Sequence, residues 1–301
     1  MAPRVDLHTH STASDGTFTP AALMRHAAAV GLTAIALTDH DTGNGLAEAQ
    51  NAAQAVGVRL IPGIEISALC PTPGELHLLG HFIDPHSAAL AQMKHELLGA
   101  RQQRNEKMVA RLNQLGIGLT MADVLAVAQQ AAGAGQPVVI GRPHIAQALV
   151  QRGAVASLKQ AFEGFVGTTG AAYVPKERYT PREAIALIHA AGGVATLAHA
   201  VHLKAGVPAR LQTIVSDLVA AGLDGIEVRH SDHDAAMVET CLALVRRYNL
   251  VATGGSDFHG RNKPDIRLGC GRDNVSIGVE VLEKLEQRWL QRTGRPLEIS
   301  R

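Results

Sequence analysis

His8 and His10 lie one residue apart in "VDLHTHSTASDGT" (5–17), with Asp15 five positions further on, and all three are residue types that bind divalent metals. Val5 and Leu7 alternate with polar positions, so Asp6, His8 and His10 should project from one side of an extended segment. Residues two apart on a strand face are about 7 Å apart at Cα, which lets two imidazoles converge on one ion. More donors recur along the chain. Asp39, His40 and Asp41 occur in "LTDHDTGNG", Glu65 in "IPGIEIS", and His77 and His81 in "ELHLLGHF". His199 follows in "LAHA", then Asp257 and His259 in "GGSDFHG". Glu65 interrupts an apolar run, and a buried carboxylate is costly unless it is paired or ligates a metal. With cysteine absent, this donor set fits manganese, zinc, ferrous iron or magnesium rather than copper(I) or an iron–sulfur cluster. About nine candidate ligands exceed the four to six positions of one ion. Two or three divalent ions, manganese first among them, are therefore expected to share a bridging carboxylate, with Glu65 as the bridge. Clustered metals suit phosphoester hydrolysis, because they activate water, clamp phosphoryl oxygens and stabilise the leaving oxyanion.

Short β-like runs alternating with alanine-rich helical runs must position these groups. Strands are expected near 4–8, 33–38, 58–67, 75–82, 193–198, 224–230 and 250–255. Helices are expected near 20–30, 45–56, 180–191, 208–221, 234–247 and 279–292. Thr19-Pro20 and Thr180-Pro181 place a capping hydroxyl before a proline at the first helical position. The alternation predicts an α/β fold with a parallel sheet, and seven strands suggest a closed or nearly closed (β/α)7 barrel. All the donors would then sit at or near the C-terminal strand ends, which share one rim. The rhythm breaks between 87 and 167. That segment reads as an all-helical insertion: a long charged helix through 93–116, another from Met121, two more near 143–152 and 155–165, and a flexible link at 133–141. Residues 1–86 and 168–301 would form the barrel, with 87–167 covering the active site.

Composition narrows the class further. The chain has 301 residues, 46% hydrophobic and 18% charged, as expected of a globular protein. Lys plus Arg number 28 against 27 Asp plus Glu, so the net charge of +1 gives no general attraction to nucleic acid or membrane. An anionic substrate must be held by local groups. Cys70, Cys241 and Cys270 are widely spaced and form no CxxC pair, which suits a reducing cytoplasm. No leader pattern and no run long enough for a membrane span is visible, so a cytoplasmic location is expected.

DLHTH, TDHD, GIEIS, LAHA and GSDFHG, in this order, resemble the polymerase and histidinol phosphatase (PHP) family of the amidohydrolase superfamily. The resemblance covers residues 5–86 and 170–260. It implies a distorted seven-stranded barrel holding up to three divalent metals. Carried over residue by residue, it implies one metal at His8, His10, Glu65 and Asp257, a second at Glu65, His77 and His199, and a third at Asp15, His40 and His259. Within the family, "GRPHIA" (141–146) followed by "YVPKERY" (173–179) is similar to the 3′,5′-nucleoside bisphosphate phosphatases, with relatives that trim short RNA from its 5′ end. Arg142 and His144 would lie at a helix N-terminus opened by Pro143, where free N–H groups favour phosphate, with Lys176 on an extended segment beyond. Many members carry AHPxRY after the fifth strand, whereas this chain has "AHAVHLK" (198–204), so His202 replaces a basic contact there.

The reading that results is a metal-dependent 3′-phosphatase of 3′,5′-bisphosphonucleotides. A metal-bound hydroxide would attack phosphorus, and His202 or His230 would bind substrate and donate a proton. The other hydrolase readings are 5′→3′ cleavage of short 5′-phosphorylated RNA and hydrolysis of histidinol phosphate. A metal-binding regulatory module or a non-catalytic polymerase domain would be expected to lose ligands first, and the set here is complete. A C–N amidohydrolase would want a metal-bridging lysine at a strand end, and none is evident. A small nucleotide, or short RNA, is the expected partner, with no membrane and no stable protein partner.

Overall fold

The structure, a computed structural model, describes residues 4–132 and 140–294. Residues 133–139 of the expected flexible link lie outside that set. The first unit runs through β1 (Arg4–Asp6), α1 (Pro20–Ala29), β2 (Leu32–Leu37), α2 (Leu46–Val56), β3 (Arg59–Ala68) and β4 (Leu76–His81). Helices α3 (Ala88–Gln114), α4 (Met121–Ala132), α5 (Arg142–Gln151) and α6 (Leu158–Ala161) follow, the last continuing as a π turn over Phe162–Val166. The α/β alternation resumes with α7 (Pro181–Ala190), β5 (Val194–Leu197), α8 (Pro208–Ala220), β6 (Gly225–Arg229), α9 (Ala235–Tyr248), β7 (Val251–Gly254) and α10 (Val279–Thr293). Residue contacts divide the chain into Met1–Gln92 with Arg178–Arg301, and Met93–Glu177. The helical unit therefore runs past 167, the boundary read from the sequence.

Local signals act as their chemistry dictates. Thr19 Oγ1 accepts from Ala22 N at 3.2 Å ahead of Pro20. Thr180 and Glu183 form a reciprocal capping box, with Glu183 N donating at 3.3 Å and Thr180 N donating back at 2.7 Å. Gly57 ends α2 at φ 69°, where nothing stands near a would-be Cβ. In β1 and its continuation, Val5 and Leu7 pack with Ala34, Ala36, Ile61, Ile277, Leu282 and Leu285. Asp6, His8 and His10, on the alternate face, are fully buried elsewhere.

The seven strands pair in chain order to form a single, mostly parallel sheet. Beyond β1 and β7, Asp257 N donates to His8 O at 2.9 Å and His10 N donates to Phe258 O at 3.0 Å. One strand departs from the expected parallel arrangement. β4 runs antiparallel to both β3 and β5, with Glu65 paired to Leu79 and Leu78 to Leu197. The connection after Ala68 is too short for the dozen or more residues of a parallel crossover, so the chain turns straight back. His77 therefore stands at the N-terminal end of β4, not near its C-terminal end, and still joins the other donors. His81, at the strand's far end, has Nε2 2.8 Å from Leu7 O, and burial presses its pKa down to about 4. It is a buried structural group away from the donor set.

The helical unit has its own core, in which Met108, Leu112, Val124, Ile145, Leu149 and Val166 are all fully buried. A separate apolar core allows the unit to fold about itself.

Candidate metal centre

Glu65, near the middle of β3 and almost fully buried, is the hub. Its Oε1 lies 2.9 Å from both His77 Nδ1 and His199 Nε2. Its Oε2 lies 3.1 Å from His10 Nε2, 3.2 Å from His40 Nδ1 and 3.3 Å from His8 Nε2. Five imidazoles from four different segments thus surround one carboxylate. The loop carrying His40 is tied to β3 by Glu65 N→Asp39 O (3.2 Å) and Asp41 N→Glu65 O (2.8 Å).

Asp257 is the second anionic focus. Its Oδ1 is 3.5 Å from His8 Nε2 and 3.3 Å from both His10 Nε2 and His259 Nδ1, while Oδ2 meets His230 Nε2 at 3.4 Å and Lys263 Nζ at 2.5 Å. Asp15 is half exposed and meets His259 Nε2 at 3.2 Å, with His10 and His40 both at 3.8 Å. In four groups the donor atoms lie within 4.8 Å of one another: His10–Asp15–His40–His259, His8–His10–Glu65, His8–Glu227–His230 and His40–Glu65–His77. All nine ligands expected from the sequence are brought together within one unit. Asp257 (φ 57°) and His199 (φ 23°) both have left-handed backbone, strain that clusters where function over-determines geometry.

Glu227, on β6, was not singled out in the sequence. It is fully buried, meets His8 Nδ1 at 3.1 Å and accepts from His199 N at 2.8 Å. The signal was available, because "GIEV" places a glutamate in an apolar strand just as "GIEI" does for Glu65. Behind the donors stand carboxylates that hold loops. Asp39 accepts from Ser11 N (2.8 Å), Ser11 Oγ (2.7 Å) and Ser14 Oγ (2.6 Å). Asp6 accepts from Ser256 N (2.9 Å), Ser256 Oγ (2.6 Å), Gly269 N (2.8 Å) and His8 N (3.3 Å). Asp6→Asn replaces one acceptor oxygen by an amide that faces donors, leaving buried N–H groups unmatched. Such a loss costs about 1–3 kcal/mol. The expected result is a lower thermal midpoint together with weaker metal uptake. An unchanged melting curve would remove Asp6 from this role.

The donor set fits metal ions on the structure's own terms. His8 Nε2 and His10 Nε2 lie 3.1 Å apart, beside the same carboxylate oxygen. Nδ1 of His10, His40 and His199 is buried without a hydrogen-bond partner, and for His40 that holds although Glu65 is only 3.2 Å away. Close but misaligned donors are arranged around a shared point rather than for one another. The electrostatics agree. Burial works against charge on Glu65, yet His40, His8 and His77 hold its carboxyl well below the usual range. Burial opposes ionisation of Glu227 too, but facing His8 and His230 bring it to about 2. Burial also disfavours a charged His10, while Asp257 and Glu65 lift it to about 9. His199 goes the other way, pressed to about 4 chiefly by burial. The concentrated negative charge therefore demands positive partners, which divalent cations supply as protons leave.

The other expected residues are placed differently. His202 Nε2 meets Asp232 Oδ2 at 2.9 Å, and its ring lies 4.5 Å from that of His199. His230 is buried, and its Nδ1 accepts from Asp232 N at 3.0 Å. Arg142, His144 and Lys176 belong to the helical unit. Arg142 opens α5, while His144 Nδ1 accepts from Gly141 N at 3.1 Å and so caps that helix. Among the described residues, no helix is long and apolar enough to cross a membrane.

The PHP domain family model matches residues 6–113. The chain is 32% identical over 287 residues to a 3′,5′-nucleoside bisphosphate phosphatase of Chromobacterium violaceum, covering 95% of this chain and 98% of that one. It is 35% identical over 288 residues to a 5′-3′ exoribonuclease of Haemophilus influenzae, covering 94% and 100%. A crystal structure from Bifidobacterium adolescentis, provisionally named a metal-dependent phosphoesterase, superposes with a TM-score of 0.69 at 34% identity, over 100% of this chain and 99% of that one. Full-length similarity at this level joins the histidine–carboxylate geometry to a known chemistry: the chain belongs to the PHP family and is a metal-dependent phosphoric ester hydrolase.

Proposed function

We propose that this hydrolase removes the 3′-phosphate of 3′,5′-bisphosphonucleotides such as adenosine 3′,5′-bisphosphate, releasing nucleoside 5′-monophosphate and phosphate. The observation that carries the reading is the Glu65-centred donor set, complete and shared among several groups. His8, His10, Glu65 and Asp257 would hold one ion, Glu65, His77 and His199 a second, and Asp15, His40 and His259 a third, with manganese the first choice. Bound there, the ions supply Lewis acidity toward the phosphoryl group. The sheet would close as a distorted barrel around them, a reading supported by the hydrogen bonds from Asp257 N and His10 N.

The chain's own groups divide the remaining work. Ser11 Oγ, Ser67 Oγ and Ser256 Oγ donate to Asp39, Asp41 and Asp6, and Cys70 Sγ contacts Thr72, so none is prepared by a histidine base. Water is therefore the attacking group. Direct attack inverts configuration at phosphorus, and a chiral thiophosphate turned over in labelled water should show inversion; net retention would return the search to these side chains. His202 keeps Nδ1 for a substrate oxygen, because Asp232 engages Nε2, and we assign it to the leaving 3′-oxygen. His230 is the more buried of the two and would support Asp257.

Arg142, His144 and Lys176 would take the non-reacting 5′-phosphate. Removing the charge-assisted contact in Arg142→Ala should cost roughly 1.5–3 kcal/mol, about 10- to 150-fold in kcat/KM, for bisphosphates. A substrate carrying only a 3′-phosphate should lose little. Equal losses on both would show that Arg142 serves the reacting phosphate or the fold.

The similarity to the Haemophilus protein favours a second reading, 5′→3′ hydrolysis of short 5′-phosphorylated RNA. Both reactions cut a 3′ phosphoester of a 5′-phosphorylated nucleotide. Phosphate or nucleotide release from the 3′,5′-bisphosphate, its 2′,5′ isomer, histidinol phosphate and a 5′-phosphorylated oligomer separates them. Preference for the 3′,5′-bisphosphate by kcat/KM is expected, and preference for the oligomer would replace the first reading by the second.

A further inference from the structure

Glu227 is a fully buried carboxylate that the ion assignment above leaves without a role. Burying such a group is costly unless its partners compensate. It stands on β6, whose register against β7 slips between Glu227 and Arg229. Irregularities of that kind re-aim side chains next to active sites. The two oxygens of Glu227 meet different partners. Oε1 lies 3.1 Å from His8 Nδ1, and Oε2 accepts from His199 N at 2.8 Å. The proposed function gives those two histidines to different ions.

The first contact sets a tautomer. A carboxylate only accepts, so His8 donates from Nδ1 and keeps its lone pair on Nε2. That nitrogen faces the shared donor point, 3.3 Å from Glu65 Oε2 and 3.5 Å from Asp257 Oδ1. A carboxylate on the far N–H of a metal-binding histidine orients the ring in this way. The second contact holds backbone. His199 has φ 23° and ψ 67°, outside the favoured regions, and the bond to its N–H opposes relaxation of that strain. His199 Nε2 is thereby kept 2.9 Å from Glu65 Oε1. His230 lies close to both His8 and Glu227, but its nitrogens are engaged elsewhere, Nδ1 with Asp232 N at 3.0 Å and Nε2 with Asp257 Oδ2 at 3.4 Å. The contacts of Glu227 thus go to residues that would hold ions, and not to a separate ion of its own.

We propose that Glu227 is a positioning residue that serves two ion sites at once. Its Oε1 keeps the His8 proton on Nδ1, which frees Nε2 for one ion, and its Oε2 anchors the strained backbone that presents His199 to another. The inference rests on the ion assignment given under the proposed function and takes nothing from the choice of substrate.

Manganese titration of the full chain, stripped with chelator and read by chelator competition, tests the role with no phosphate ester present. Glu227→Gln leaves one acceptor oxygen. The His199 N–H can only donate, so that oxygen goes to it, and the amide N–H₂ turns to His8, whose proton must then move to Nε2. One ion should weaken roughly 10- to 100-fold while the others hold. Glu227→Ala removes both contacts and should weaken two ions. Asp224→Asn is the control for general damage, because that fully buried carboxylate bonds to His189 and Arg292 and to no residue of the centre. It should leave ion affinity unchanged. Nitrogen NMR of the imidazoles in the zinc-loaded wild type should show the His8 proton on Nδ1, a signature that does not depend on how any variant folds. Wild-type affinities in Glu227→Gln, a wild-type His8 proton on Nε2, or equal weakening in Asp224→Asn overturns the positioning role. Loss of one ion alone in Glu227→Ala overturns the part given to His199. A wild-type chain that binds fewer than two ions overturns the ion assignment itself. Failure to hydrolyse the bisphosphate would overturn the phosphatase reading and leave this inference standing.

Discussion

Glu65→Gln is expected to give a folded protein that binds fewer metal ions and has lost nearly all hydrolase activity. The change preserves shape and removes one charge from a carboxylate that faces five imidazoles within 3.3 Å. It also puts an amide N–H₂ where donor atoms expect an acceptor. A bridging ligand serves more than one ion, so the loss should amount to at least two ions' worth of binding. Activity should fall on the order of 10²–10³-fold or more, the scale seen when a principal electrostatic stabiliser is removed. Elemental analysis of the purified variant, alongside its melting curve, checks the outcome. Unchanged metal stoichiometry in a well-folded variant would show that Glu65 is a charge partner of the histidines and not a bridge.

The second large effect comes from a residue with no donor atoms in its side chain. Gly255 follows β7, and a Cβ added there would sit 2.4 Å from His8 Cβ and 2.5 Å from His8 N. The neighbour is backbone, so no side-chain rotation relieves the clash. Both sides are pinned, by Gly255 N→Arg229 O at 3.0 Å and by Asp257 N→His8 O at 2.9 Å. Gly255→Ala must therefore push His8 away from Glu65 and Asp257, at an overpacking cost of about 1–3 kcal/mol or more. The thermal midpoint should fall by several degrees and metal content should fall with it. Gly57→Ala provides the control, because its positive φ costs about 1–2 kcal/mol of backbone strain and nothing crowds the site. If Gly255→Ala melts like Gly57→Ala with full metal content, His8 is not held by this contact.

The sequence by itself determined which elements form and which residue types they carry. Alternation at Val5, Asp6, Leu7 and His8 put apolar side chains on one face and donors on the other, and that follows from the strand's period of two. The threonine–proline starts of α1 and α7 were legible because capping is a local interaction. The expected donors were legible because histidine and carboxylate in apolar strands are too costly to be incidental. Two further features were present but unread: the short connection after Ala68, which forces β4 to run antiparallel, and the second buried glutamate, Glu227. Only the tertiary structure decided the rest. That Glu65 faces five histidines, that Asp6 holds Ser256 and Gly269 across the length of the chain, and that His81 lies apart from the donors are facts of strand order and register. Such contacts join residues up to 263 positions apart, and no local propensity encodes a partner at that distance.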